Sequence, residues 1–310
     1  MNNSFQEQEI YTAGSLDVFE WDLDFHQLML NDKLRMDAYK KAIFEVVKPG
    51  MIVCEIGVGT GILSQWALEA GAKVVYGIES NSKILEIAKT NLSSFGDKFV
   101  PIEGLSSEVS LQEKVDLILS EIIGNIADNE NMASILADAQ KRFLKDGGVM
   151  IPIKVESFIV PVSTPEANNH ILKREINPTH KDSKLIDKFN TIPDSGLFTF
   201  YFDTLISENS YLAKPEILES FYENNWPISY SNKIEFKIIQ DGLLTGFKGW
   251  FSAQLSKDTI LNIESSEDYS DSWKHAYFPL EKSVEVKRGS TVVLEFTRSE
   301  NGKYFWKLNK

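Results

Sequence analysis

The sequence predicts an α/β chain in two parts: a doubly wound parallel sheet with flanking helices, then a mainly antiparallel β-barrel or sandwich. Three observations carry this. Helical patterns alternate with short β-rich runs up to residue 151, and a glycine-rich turn joins the first of those runs to the next helix. After Pro152 the pattern changes to β-rich runs separated by turn residues.

In order, the first part reads as helix 32–48, strand 51–56, helix 61–70, strand 73–79, helix 82–93, strand 99–102, strand 115–120, helix 131–145 and strand 148–151. "KDGG" at 145–148 stops the last helix with glycine, and Pro152 closes the strand after it. The second part reads as strands in "KVESFIVPV", "SGLFTFYFDT", "KIEFKIIQDG", "LLTGFKGWFSAQL", "SVEVKRGSTVVLEF" and "KYFWKL". The polar, partly helical segment 164–192 interrupts that series and reads as an excursion from the β domain or a partner-binding arm.

Composition narrows the function classes. There are 32 Lys and Arg against 45 Asp and Glu, a net charge of −13 with no basic run, which argues against a nucleic-acid partner. Cationic partners suit this charge better. The one cysteine, Cys54, sits in the apolar run "MIVCEIG" as a small buried hydrophobe. With no intrachain disulfide to form, a reducing compartment is expected, namely the cytoplasm. The N-terminus has neither the basic start nor the apolar core of a signal peptide. No apolar stretch approaches the ~18 residues of a membrane span, so no membrane partner is expected. His26, His170, His180 and His275 lack metal-ligand spacing, so no metal site is expected.

"VCEIGVGTGILS" places Glu55, Gly57, Gly59, Thr60 and Gly61 between a strand and a helix. Glycines there let the backbone approach a ligand at the carboxyl end of the sheet, the Rossmann-like arrangement. A dinucleotide fingerprint needs Gly or Ala at position 62, which is Ile62, so NAD is disfavoured. Glu79 ends the second strand, "VVYGIE", where a carboxylate can accept hydrogen bonds from both ribose hydroxyls of an adenosine. The ligand that suits this loop is S-adenosylmethionine, an adenosine without phosphates.

The stretch "SEIIGNIADNEN" carries Glu121 and Glu130. On one continuous helix, nine steps of ~100° would put them on opposite faces. If the chain turns at Gly124 they can converge. Glu121 follows the strand "VDLILS" and so emerges at the ligand edge of the sheet, while Glu130 precedes a helix whose dipole stabilises a carboxylate.

Through "EIGVGTGILS", "GIES", "VDLILSEIIGN", "NENM" and the upstream "HQLMLNDKLRMDAY", the sequence resembles the protein arginine methyltransferases, a class I S-adenosylmethionine-dependent family, over about residues 19–300. The resemblance implies a methyltransferase domain at 32–151. It implies a helical segment at 1–31 covering the cofactor site, and a β-barrel substrate domain at 152–310. It also implies that Arg35 holds the carboxylate of the cofactor's methionine part, that Met29 lines the site near the sulfonium, and that Ser107 or Glu108 meets the adenine. Glu121 and Glu130 match the pair that grips the substrate guanidinium. Such a pair suits a guanidinium because that group has five donors and delocalised lone pairs. Two carboxylates hold its plane and leave another nitrogen better able to attack.

This sequence departs from the family at several points. Asn125, Asp128 and Asn129 replace aromatic residues between the glutamates, and Asp271-Ser272-Trp273 matches the family's Thr-His-Trp. The histidine that would pair with Asp32 is therefore absent, and His275 is out of register. Phe19 and Trp21 lie near the family's N-terminal tyrosines, and Asn125 and Trp273 are expected in the substrate pocket. The leading expectation is methyl transfer to a guanidino nitrogen of a protein, a peptide or an arginine-like metabolite. A small-molecule amine or hydroxyl acceptor comes second, and a non-catalytic cofactor-binding scaffold third. In the resembled family an arm of the β domain docks on a second copy, so 164–192 implies a homodimer.

Overall fold

The computed structural model of the chain describes residues 6–11, 23–175 and 189–309. Strand β1 (Gln6–Tyr11) precedes helices α1 (Leu23–Asn31) and α2 (Lys33–Val46). The N-terminal segment is therefore not wholly helical. Residues 6–11 run extended because they pair antiparallel with a strand of the β domain, a tertiary contact that overrides local preference. Phe19, Trp21 and residues 176–188 of the excursion lie outside the described residues.

The parallel part contains β2 (Ile52–Ile56), α3 (Ile62–Glu69), β3 (Val74–Glu79), α4 (Ser82–Asn91), β4 (Phe99–Glu103), β5 (Val115–Ser120), α5 (Met132–Phe143) and β6 (Leu144–Ile151). The five strands run in the order β4-β3-β2-β5-β6, all parallel. The apolar runs follow from burial on both faces, and every residue of β2, Cys54 included, is buried. Strand β6 begins at Leu144 rather than 148, so α5 ends earlier than its sequence pattern predicts. Ile56 of β2 pairs with Ile78 of β3 on one side and Ser120 of β5 on the other. One residue further on, Gly57, Glu79 and Glu121 therefore leave the same sheet edge side by side. Strand order reverses here, and open α/β sheets take ligands in that crevice.

The second part contains β7 (Lys154–Val162), α6 (Pro165–Lys173), α7 (Asp194–Leu197), β8 (Tyr201–Leu205), β9 (Glu216–Tyr222), β10 (Tyr230–Lys237), β11 (Gly242–Gln254), β12 (Ile260–Asn262), β13 (His275–Val286), β14 (Thr291–Arg298) and β15 (Tyr304–Asn309). A seven-stranded antiparallel sheet runs β1-β8-β13-β11-β7-β9 with β12 on β11, and a second sheet runs β10-β14-β15. The two share a core that includes Phe236, Phe247, Phe278, Phe296 and Tyr304. Phe278 and Phe296 meet edge to face at 5.0 Å, a favoured aromatic geometry. The run "SGLFTFYFDT" is only half strand, since its first residues form the end of α7 and β8 starts at Tyr201.

Gly246 lies where β11 contacts both β7 and β13. A Cβ there would sit 2.5 Å from the Phe278 carbonyl oxygen and 2.6 Å from the Tyr277 ring. Because the nearest atom is backbone and cannot swing away, Gly246→Val should destabilise the chain by about 1–3 kcal/mol or more. Denaturant unfolding checks this, and an unchanged midpoint would contradict the packing described.

Candidate active site

A cavity of about 610 Å³ opens at the carboxyl edge of the parallel sheet. Its walls include Met29, Arg35, Glu55, Gly57, Gly59, Thr60, Glu79, Ser107, Glu121 and Glu130. Gly61 and Glu108 are not among them. Gly61, at φ 91°, serves packing instead: a Cβ there would come within 2.9 Å of Leu92. Glu108 is exposed in the turn after β4, beside the Ser107 that does reach the cavity. Sequence reasoning missed Tyr39, Asn81, Ser106, Ser134 and Asp138, which also line the space. Asn81 gave a signal that was available: an Asn directly before a helix, where its side chain caps the Lys83 and Ile84 amides.

The glycine turn is held by the acid that faces it. Gly57 and Gly59 adopt φ of 73° and 54°, a region open to glycine, and Gly59 N–H donates to Glu79 Oε2 at 3.1 Å. The other oxygen, Glu79 Oε1, accepts from the Asn81 amide at 2.9 Å. Below the turn Glu55 is buried and accepts from the Ser64 hydroxyl. Burial pushes Glu55 up to about 8, against the Ser64 hydrogen bonds and with help from the charge of Glu79.

Glu121 and Glu130 line this cavity together, and both also line a second chamber of about 30 Å³ adjoining it. The chain between them turns back tightly: Gly124 and Ala127 exchange two backbone hydrogen bonds of 3.1 and 2.9 Å. A Cβ on Gly124 would overlap the Asn129 side-chain amide and displace it from the bond it accepts from the Ile126 N–H. Arg35 forms an ion pair with Glu121, and its guanidinium lies 4.8 Å from the centre of the Trp273 ring. Burial lowers Arg35 to about 10 despite opposing charges that include Glu130.

The β domain fastens this loop from behind. Trp273 Nε1 donates to the Ile123 carbonyl at 2.7 Å and the Ser157 hydroxyl to the Ile126 carbonyl at 3.1 Å. Arg298 pairs with buried Asp128 at 3.0 Å and donates to the Asp128 carbonyl and the Asn131 side chain. Neither Arg298 nor Asp203, which accepts from Asn125 in the small chamber, carries a sequence signal, since each lies far along the chain from its partner.

A model described as "Ribosomal protein L11 methyltransferase (PrmA)" matches residues 38–152, and one described as "PRMT5 oligomerisation domain" matches 154–307. Protein arginine N-methyltransferase PRMT10 of Arabidopsis thaliana is 27% identical, over 89% of this chain and 80% of its own length. Protein arginine N-methyltransferase 5 of Xenopus laevis is 25% identical, over 91% of this chain and 46% of its own. Together these matches support a protein arginine methyltransferase family member. Its fold agrees with family structures: the Arabidopsis thaliana protein arginine methyltransferase 10, at TM-score 0.74 and 21% identity, covers 93% of this chain and 97% of that one. The Trypanosoma brucei PRMT1 enzyme–prozyme complex with AdoHcy, at TM-score 0.78 and 18% identity, covers 93% and 98%. The chain spans less than half the length of the Xenopus relative.

Within the family pattern, the absent histidine is replaced by a serine cluster on Asp32. Ser272 donates through its amide at 3.0 Å and its hydroxyl at 2.5 Å, and Ser270 donates to the same oxygen. Burial raises the Asp32 carboxyl, but these bonds and the Arg35 amide outweigh it and hold Asp32 below its ordinary value. His275 does not take the missing role. Its Nδ1 accepts from the Ile206 amide at 2.9 Å, so the proton sits on Nε2, facing the Ile263 carbonyl at 3.0 Å. Burial holds it neutral, well below the usual imidazole value. Among the described residues no group of three or more His, Cys, Asp or Glu could hold a metal ion, and no helix is long and apolar enough to cross a membrane.

Burial raises Glu130 from 4.5 to about 7, with Arg35 opposing. Between those values the folded chain retains a proton that the unfolded chain has released, so Glu130 makes stability fall as pH rises. Glu130→Gln removes this contribution. Urea midpoints should show the variant gaining on the wild type from about pH 4.5 to 7; a pH-independent difference would refute the burial of this carboxylate.

Proposed function

We propose that the chain is an S-adenosylmethionine-dependent N-methyltransferase acting on a guanidino nitrogen of arginine, in a protein, a peptide or an arginine-like metabolite. The observation that carries this is the meeting of Glu121 and Glu130 where a large nucleoside-sized cavity joins a small polar chamber. The cavity volume of about 610 Å³ suits a small-molecule site, and its glycine backbone, Glu79 and Arg35 provide complementary groups along it. Glu79 would hold the ribose hydroxyls, Ser107 would face the adenine, Arg35 would hold the amino-acid carboxylate, and Met29 would line the sulfonium side. When bound, S-adenosylmethionine supplies an electrophilic methyl group.

The chain's own residues supply position and charge. Arg35 has five donors, enough to hold a carboxylate while keeping a bond to Glu121. Glu121 and Glu130 accept from the guanidinium, hold its plane still and draw positive charge away from the attacking nitrogen. Alignment within ~3–3.5 Å then accounts for much of the rate. Burial raises the cost of ionising Glu130 by more than the charge of Arg35 offsets, so an arriving cation adds a second partner that favours its charged form. Asp32, held by serines below its ordinary pKa, orients the Trp273 turn rather than accepting a proton.

The β domain's match to an oligomerisation model supports a homodimer. Helix α6 opens the 164–192 excursion and is tied to its own β domain, with Asn168 bonded to Tyr277 at 2.7 Å and to the Thr245 carbonyl at 3.2 Å. That anchoring would hold the base of an arm firmly. The buried, unpaired Cys54 suits the cytoplasm.

With labelled cofactor and arginine-containing peptides, label should appear on a guanidino nitrogen. Glu121→Gln should reduce kcat/KM by about 100-fold or more, because it leaves buried charge without its counterpart. Label found only on oxygen or carbon would overturn the acceptor assignment. Light scattering behind size exclusion should give twice the chain mass, and a monomer at all concentrations would contradict the dimer.

A further inference from the structure

The chamber beside the two glutamates contains a buried acceptor without a donor. Asn125 is 5% exposed, its Nδ2 donates to Asp203 Oδ1, and its Oδ1 has no hydrogen-bond partner. Both residues line the chamber with Glu121, Glu130, Ser272 and Trp273. An unpaired acceptor in such surroundings is costly, and native structures leave few of them. Reversing the amide would not relieve it, because the carbonyl oxygen would then face the Asp203 carboxylate.

We propose that Asn125 Oδ1 accepts a hydrogen bond from the guanidinium of the methyl acceptor, and that Asp203 is the positioning residue that fixes the amide in this orientation. This rests on the arginine reading given above. The chemistry of the walls favours it. Glu121, Glu130 and Asn125 Oδ1 present acceptors, and a guanidinium is a group that only donates. A hydroxyl or neutral amine would bring a lone pair of its own against them. Asn125 thus becomes a recognition element where aromatic residues stand in the resembled family's loop, and Asp203 explains why an amide works there.

The test uses the full chain with an arginine-containing peptide and measures KM, kcat and the affinity for S-adenosylhomocysteine by calorimetry. Asn125→Leu removes the acceptor and should raise KM about 10- to 100-fold, with kcat and S-adenosylhomocysteine affinity little changed. Asp203→Asn frees the amide to turn and should raise KM less. The double variant Asn125→Asp, Asp203→Asn exchanges the two groups: the amide introduced at position 203 would donate to one oxygen of the carboxylate introduced at position 125, and the other oxygen would face the chamber. Its KM should return toward the wild-type value; because the exchange would also restore a merely structural pairing, it is the rise in KM with kcat little changed in the single variants that separates recognition from structure. A double variant no better than Asp203→Asn overturns the proposal even if Asn125→Leu fails to fold. Unchanged KM in Asn125→Leu, with arginine still methylated by the wild type, overturns the proposal and spares the arginine reading. A wild type that methylates no guanidino substrate overturns both.

Discussion

The site depends on one buried ion pair. Asp128 sits in the middle of the acidic loop and Arg298 at the end of β14, with side chains 0% and 3% exposed. The loop's own closure, two backbone bonds across Gly124 and Ala127, makes a turn but does not determine where Glu130 ends up. Arg298 does that by gripping the Asp128 side chain and carbonyl and the Asn131 side chain together. Removing one partner of such a pair strands a buried charge at a cost of about 3–5 kcal/mol, so the arrangement holds in an all-or-none way. Burial pushes Asp128 up to about 7 even with Arg298 and the Ala133 amide opposing. The pair therefore specifies a shape more than it adds stability.

Two domains divide the work. The parallel sheet sets positions, because adjacent strand ends deliver Gly57, Glu79 and Glu121 along one edge. The antiparallel domain sets orientation through Trp273, Ser157 and Arg298, all of which act on the backbone or side chains of the loop. Acidic side chains outnumber basic ones around the cavity, where Glu79, Glu121, Glu130 and Asp138, with Glu55 held largely protonated by burial, share the walls with Arg35. Desolvation makes that imbalance expensive, and a cationic guest reduces it.

The parallel half was legible because its signals are local. Alternating periodicity, "EIGVGTGILS" and the acid ending β3 each lie within a short window, and every strand from β2 to β5 falls within about two residues of its expected place. The turn at Gly124 was legible for the same reason. Strand β1 was not, since it is extended by virtue of a partner almost two hundred residues away. Arg298 and Asp203 were invisible on similar grounds: an arginine ending a strand and an aspartate within one look like surface residues until the sheets pack. Glu108 was a near miss, because a turn presents neighbours in different directions and Ser107 is the one that reaches the cavity. The serine cluster on Asp32 replaces one histidine with several short donors, a pattern that only folding assembles.

Arg298 lies 167 residues beyond Asn131. Polymerisation at about 5–20 residues per second puts the two roughly 8–33 s apart on the ribosome. During that interval the nascent parallel sheet can form its nucleoside crevice, but the acid loop has no anchor. Fixing of the acid loop is thus deferred until the C-terminal strands emerge, and a chain truncated before β14 would lack the arginine that holds Asp128 and Asn131.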